Sequence, residues 1–252
     1  MRFELLYNPR LLIERLAIAS QRRRRFSKLR GTVAAKLKLG HIDSLELLEI
    51  IKSEQIQTIY DVGANVGTWS LLAKAIMPQA VIHAFEPLSI HFDEFYTRTA
   101  NISDISLHKL ALGAEASVLN MQVASFSDAS SLLEIAKITY DTFGIVKSRE
   151  EAVQVVRLDD YITQNKMSMP DLIKLDIQGY ELEALKGAEK CLKSARYLII
   201  EVSFIEFYTA QPLFHDIINF LSQRNFYLWA MGTNTPLGKT LSQTDVLFIR
   251  KT

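Results

Sequence analysis

From residue 57 onward, short apolar runs rich in Ile and Val alternate with stretches of helical period. The runs are Thr58–Val62, Val81–Phe85, Ile105–Ala111, Leu172–Leu175, Tyr197–Val202, Phe226–Ala230 and Val246–Ile249. Seven strands of this kind, separated by helices, predict a largely parallel α/β sheet with both faces covered. The helices include Thr68–Met77, which Pro78 stops, and Tyr180–Leu192, which contains Gly187. Residues 112–170 are long for one crossover and hold alternating pieces of their own, Val118–Val123 and Val153–Leu158. They are expected to form an inserted excursion that flanks a site. Before residue 53 the pattern is helical. Leu5, Leu11, Leu12 and Leu16 suggest one helix and Ser44–Lys52 another, with Asp43 and Glu46 at the spacing of a capping box. The expected division is a basic helical extension over 1–52 and an α/β domain over 53–252.

Length and composition narrow the class. The 252 residues suit one large domain with an extension, and 48% apolar with 23% charged residues excludes global disorder. Cys191 is the single cysteine, which excludes an internal disulfide framework and a multi-cysteine zinc site and fits a reducing compartment. The five histidines include no HExxH. No apolar run reaches the roughly 18 residues of a membrane span, and the Arg22–Arg25 cluster follows the first apolar stretch, where a secretory signal would place it before. A cytoplasmic location is expected.

Four segments carry candidate chemistry. In Asp61-Val62-Gly63-Ala64-Asn65-Val66-Gly67 a β-run ends in an acid, a glycine turn follows and a helix begins. The spacing is not the dinucleotide fingerprint and fits a nucleoside ligand with no pyrophosphate to cradle. An ordinary strand–turn–helix corner is the competing reading. Glu86 ends the second strand 25 residues after Asp61, where a carboxylate is placed to accept from ribose hydroxyls. Asp176 ends a central strand, with Lys174 on the same face two residues before it. A lysine inside a strand needs a partner, and Asp176, Asp61 or Glu201 can supply one. Glu201 lies near the end of a further buried strand, as a base, a hydroxyl acceptor or a merely paired carboxylate.

These segments together resemble the FkbM-type methyltransferases. The resemblance rests on Asp61–Gly67, on Phe85-Glu86-Pro87, on Lys174-Leu175-Asp176-Ile177-Gln178-Gly179-Tyr180-Glu181 with Leu185-Lys186-Gly187-Ala188, and on the closing Gln243–Ile249. It spans roughly residues 57–250 and implies a class I, Rossmann-like methyltransferase. That fold has a seven-stranded sheet in the order 3-2-1-4-5-7-6, strand 7 antiparallel, with helices on both faces. The implied cofactor is S-adenosylmethionine. By position, Gly63, Asn65 and Gly67 would line its methionine part, Asp61 would orient that loop or the amino group, and Glu86 would take the ribose. Ala111 would lie near the adenine, with Ser130 and Ser131 near the pocket mouth. The implied reaction is methyl transfer to a hydroxyl of a sugar, in a glycolipid, polysaccharide or natural product. Asp176 is the first choice of base, Glu201 the second and His108 the third. Gln178 stands where many members have Glu, which argues against an acid-rich metal site, and no metal ligand set is assigned.

Residues 1–40 carry a net charge of +9 and the remainder −8. Arg22, Arg23, Arg24 and Arg25 are expected either to form a solvated helix face or to lie on anionic lipid at the cytoplasmic membrane face. Nucleic acid ranks last as a partner, because the α/β body is acidic. Two rival readings are an RNA methyltransferase and a non-catalytic methyltransferase-like adaptor at the membrane.

Overall fold

The computed structural model describes residues 20, 23–37, 44–232, 235–237 and 240–251. The expected helix around Leu5–Leu16, Arg22 and the Asp43 cap lie outside the described residues. In chain order, a helix over residues 23–29 is followed by α1 (Leu45–Ile51), β1 (Thr58–Val62), α2 (Thr68–Ile76), β2 (Val81–Phe85), α3 (Phe92–Thr99) and β3 (Ile105–His108). Then come β4 (Ala111–Leu112), β5 (Ser117–Ala124), α4 (Lys137–Phe143), β6 (Lys147–Val156), α5 (Leu158–Gln164) and β7 (Leu172–Leu175). The chain closes with α6 (Glu181–Lys186), α7 (Glu189–Ser194), β8 (Tyr197–Ser203), α8 (Phe214–Ser222), β9 (Phe226–Met231), β10 (Thr235–Leu237) and β11 (Thr240–Arg250).

The main sheet runs β3-β2-β1-β7-β8-β11, and β9 and β10 both pair with β11. Five strands are mutually parallel, whereas β11 is antiparallel to β8 and to β9. Counted over the seven expected strands, this is the order 3-2-1-4-5-7-6 with the last strand antiparallel. The short β10 adds a hairpin to it.

The sheet is buried on both faces, as its near-continuous apolar strands require. Tyr60, Val62, Phe85, Ile173, Leu175, Leu198 and Ile200 pack with residues of α6, α7 and α8. On the other face, Ile59, Ile82, Leu172, Ile199 and Leu247 pack with α2 and with Leu29, Leu45, Leu48 and Ile51. The described residues before 53 therefore share the core of the domain. Arg25 joins it there, gripping Glu46 with Nε at 2.5 Å and Nη2 at 2.7 Å.

Two expected elements divide. The run Ile105–Ala111 places β3 in the main sheet, while Ala111 starts β4 in a second sheet ordered β4-β6-β5. That small sheet is the expected excursion, and it stands beside the strand ends. The expected helix Tyr180–Leu192 breaks at Gly187, where a Cβ would lie 2.0 Å from the Gly113 carbonyl oxygen. No helix among the described residues is long and apolar enough to cross a membrane.

Candidate active site

The C-terminal ends of β1, β2, β7 and β8 lie side by side, because the parallel register sets Asp61 opposite Ala84 and Lys174. Open α/β sheets bind ligands at this edge. A cavity of about 460 Å³ opens there, a size suited to a small-molecule ligand. Gly63, Asn65, Glu86, Ala111, Ser130, Asp176 and Glu201 all line it. Asp61, Gly67 and Ser131 do not. They act on the residues that do.

Gly63 adopts φ +84° and Gly67 φ +79°, both left-handed. Gly67 starts α2 and packs against Phe95. The loop is closed by its own backbone: Gly63 and Ala64 N–H donate to the Phe85 carbonyl, and Gly67 N–H donates to that of Ala64. Asn65 N–H donates to Glu86 Oε2 at 2.9 Å, and Leu88 N–H donates to Glu86 Oε1 at 2.8 Å. Each Glu86 oxygen keeps a lone pair after these bonds, so the carboxylate is oriented and still able to accept two hydroxyls. His91 Nδ1 lies 3.2 Å from Glu86 Oε1, although neither ring nitrogen is aligned for a hydrogen bond. The first turn of α2 brings Thr68 and Trp69 to the cavity, where unpaired N–H groups favour a carboxylate.

Asp61 is fully buried behind this loop and accepts the Ser70 hydroxyl at 2.6 Å. Its other oxygen has no hydrogen-bond partner. Burial raises the Asp61 pKa, against the pull of Lys174 and Ser70. Ser130 Oγ accepts the Ala124 N–H at 3.1 Å, whereas the Ser131 hydroxyl donates to the Gln178 carbonyl at 2.7 Å.

The far end of the cavity is acidic. Lys174 Nζ is buried, donates to Asp176 Oδ2 at 2.8 Å and lies 5.8 Å from the centre of the Trp69 ring. Burial opposes the Lys174 charge, but Asp176, Asp61 and Asp245 outweigh it and raise the pKa. The Asp176 side chain is 30% exposed and so open to a ligand. Burial works against its ionisation too, yet Lys174 and the hydrogen bonds it receives hold its pKa below the ordinary value. Glu201 behaves oppositely. Burial and the charges of Asp176, Asp245 and Glu181 push its pKa well up. Gln178 donates to both acids, and Gln243 Nε2 donates to Glu201 Oε1 at 2.7 Å. The two neighbouring acids at this end of the cavity are therefore pushed in opposite directions, Asp176 toward ionisation and Glu201 toward holding its proton. Among the described residues, no group of three or more His, Cys, Asp or Glu is arranged to hold a metal ion.

The glycine turn and Glu86, on neighbouring strand ends, line one cavity together with these acids. The sequence profile described as "Methyltransferase FkbM domain" matches residues 61–228. The chain belongs to the FkbM methyltransferase family. One relative is the hexuronic acid methyltransferase AglP of Haloferax volcanii, 24% identical over 65% of this chain and 62% of its own length. The chain thus spans less than two thirds of that relative. Another is the 2-O-methyltransferase NoeI of Sinorhizobium fredii, 24% identical over 84% of this chain and 88% of its own. In fold, the Methanococcus jannaschii fibrillarin pre-rRNA processing protein superposes with a TM-score of 0.50 at 13% identity, over 88% of this chain and 85% of that one.

The sequence pointed to both acids and to Gly63, Asn65, Glu86, Ala111 and Ser130 in the lining, but it missed Gln243, Asp245, Ser44 and the roles of Gln178 and Tyr208. Ser44 reaches Asp245, and both line the cavity. Of the aromatic residues that could stack on a sugar, Tyr180 and Tyr208 line the cavity, whereas Tyr140, Phe204 and Trp229 are not part of the lining. Tyr208 is used through its hydroxyl, which lies 3.0 Å from both the Ala129 carbonyl and Gln178 Oε1. His108 also lies outside the lining, with its ring stacked on Phe85 and Nδ1 3.0 Å from Tyr161 Oη. Arg25 is occupied by Glu46, while Arg23 and Arg24 are exposed.

Proposed function

We propose that this FkbM-family chain transfers the methyl group of S-adenosylmethionine to a hydroxyl of a sugar-like acceptor. One observation carries the reading: a single cavity runs from Glu86 and the glycine loop to Asp176 and Glu201. The residues fit the cofactor. Gly63 and Asn65 line the cavity, Glu86 faces it with acceptor capacity left, and α2 begins beside it. When bound, S-adenosylmethionine supplies a methyl group already activated on a sulfonium.

The chain's task is then alignment and proton removal. Asp176, whose pKa Lys174 and the hydrogen bonds it receives hold below the ordinary value, would accept the proton of the acceptor hydroxyl during the transfer. Lys174 stabilises the ionised carboxylate beforehand. Glu201, whose pKa burial and its acidic neighbours push up, lies beside it at the same end of the cavity. The amides of Gln178 and Gln243, with Tyr180, Phe126 and Phe143 around the cavity, suit a polyhydroxylated ring with polar edges and apolar faces. Relatives named for a hexuronic acid and for 2-O-methylation support a sugar acceptor.

The test is methyl transfer from labelled S-adenosylmethionine to a panel of neutral and acidic glycosides. Product methylated at oxygen by the wild type, with at least about a hundredfold loss in Asp176→Asn, is expected. Methyl incorporation undiminished in Asp176→Asn would remove Asp176 as the base, and transfer to nitrogen alone would remove the hydroxyl acceptor.

A further inference from the structure

Gln178 touches both acids of the site. Its Nε2 donates to Asp176 Oδ1 at 2.8 Å and to Glu201 Oε2 at 2.9 Å, so both amide hydrogens are committed. Its Oε1 accepts from Tyr208 Oη at 3.0 Å. The Asp176 carboxylate, paired with Lys174, accepts from the amide, so the amide is held with nitrogen toward the acids and oxygen toward the phenol. The backbone is clamped as well. Gln178 adopts φ +55° before Gly179 at +97°, and its carbonyl accepts the Ser131 hydroxyl. A left-handed, non-glycine residue tied on every side by hydrogen bonds is the kind of local strain that persists at functional sites.

We propose that Gln178 is a positioning residue whose amide holds Asp176 and Glu201 as an unequal pair, one proton on Glu201 and Asp176 left open toward the acceptor. The purpose of this pair rests on the methyl-transfer reading, but its geometry does not. The surrounding charges agree with the assignment. Asp176 faces the Lys174 ammonium from β7, and Asp61 from β1 lies behind that ammonium. Glu201 on β8 receives two neutral amides, from Gln178 and from Gln243 on β11. It faces the negative charges of Asp176, of Asp245 on β11 and of Glu181 on α6, with Tyr208 beyond the amide. A shared proton therefore has its lower free energy on Glu201. A glutamate at position 178 would replace the bridging donor by a third acceptor, and both acids would lose the hydrogen bond that holds them together.

The test is a carbon-detected NMR titration of the side-chain carboxyls in the full-length protein, with Glu201→Gln and Asp176→Asn assigning the two signals. In the wild type, Glu201 titrates well above the ordinary range and Asp176 below it. Gln178→Asn suits the left-handed backbone but is one methylene too short to bridge, and both titrations should rise by about one pH unit. Tyr208→Phe frees the amide to turn and should move them the same way by less. A merely structural Gln178 would lower the melting temperature and leave the titrations in place. Wild-type titrations in both Gln178→Asn and Tyr208→Phe would overturn the proposal. Calorimetry with S-adenosylhomocysteine on the same samples separates the two readings. Pair behaviour as described without cofactor binding sinks the methyl-transfer reading alone. Cofactor binding with an unresponsive pair sinks this one alone.

Discussion

Gly63 and the Asp176 carbonyl approach so closely that a Cβ at residue 63 would stand 1.9 Å from that oxygen. The contact joins the turn after β1 to the loop after β7, and so sets the cofactor loop against the acid pair. Gly63→Ala meets both this clash and a left-handed φ of +84°. The variant is expected to lose about 3 kcal/mol or more of stability. Urea unfolding checks this, and a loss below roughly 1 kcal/mol would mean that the two loops separate easily.

Asp61 ties β1 to α2 through Ser70 and shares the Lys174 charge from behind. Removing it leaves Lys174 dependent on Asp176 and Asp245. Asp61→Ala should cost about 3 kcal/mol, and Ser70→Ala about 1 kcal/mol. Thermal unfolding of both variants measures the difference, and equal costs would contradict a role for Asp61 beyond its hydrogen bond.

Glu181 gives a pH dependence with a definite sign. It is buried, accepts the Ile177 N–H at 2.9 Å and the Gly179 N–H at 3.2 Å, and burial raises its pKa from 4.5 to about 7. Between these values the folded protein binds the proton more tightly than the unfolded chain does. Stability from this group is therefore full below the unfolded pKa and falls as pH rises toward 7. The loss amounts to roughly 3 kcal/mol over the window. Glu181→Gln should flatten that part of the stability–pH curve, as chemical denaturation at a series of pH values would show. An unchanged slope would mean that Glu181 is ionised throughout.

Much of this site was legible because it is local. Asp61, Glu86, Asp176 and Glu201 each end a short buried strand, and an acid at the end of an apolar run is a pattern that sequence carries by itself. The runs marked the strands themselves, whereas their order was implied only by the resemblance to the FkbM-type methyltransferases. What escaped depends on contacts between distant segments. The pairing of Glu201 with Asp245 arises from the antiparallel register of β8 and β11. Gly187 breaks a helix because Gly113, in a strand-end turn far away in sequence, presses its carbonyl there. Tyr208 reads as a stacking ring, but its ring is buried and its hydroxyl does the bonding. Nothing local to Leu45–Ile51 announced that α1 would share the core with β1 and bring Ser44 to the cavity.

The basic segment keeps one membrane proposal. With Arg25 held by Glu46, Arg23 and Arg24 are the exposed members of the described cluster. Contact with an anionic bilayer would draw about 1 kcal/mol from each. Sedimentation with phosphatidylserine vesicles should then fall roughly tenfold in Arg23→Ser/Arg24→Ser. Equal sedimentation of the variant and the wild type would end the proposal.

In the proposed site Glu86 takes the ribose of the cofactor and the glycine loop lines its methionine part. The most direct measurement is calorimetric binding of S-adenosylhomocysteine to the wild type and to Glu86→Ala. Micromolar binding, weakened at least about tenfold in the variant through lost ribose contacts, is the expected result. A folded wild type that binds no S-adenosylhomocysteine, or a variant that binds it equally well, would contradict the account.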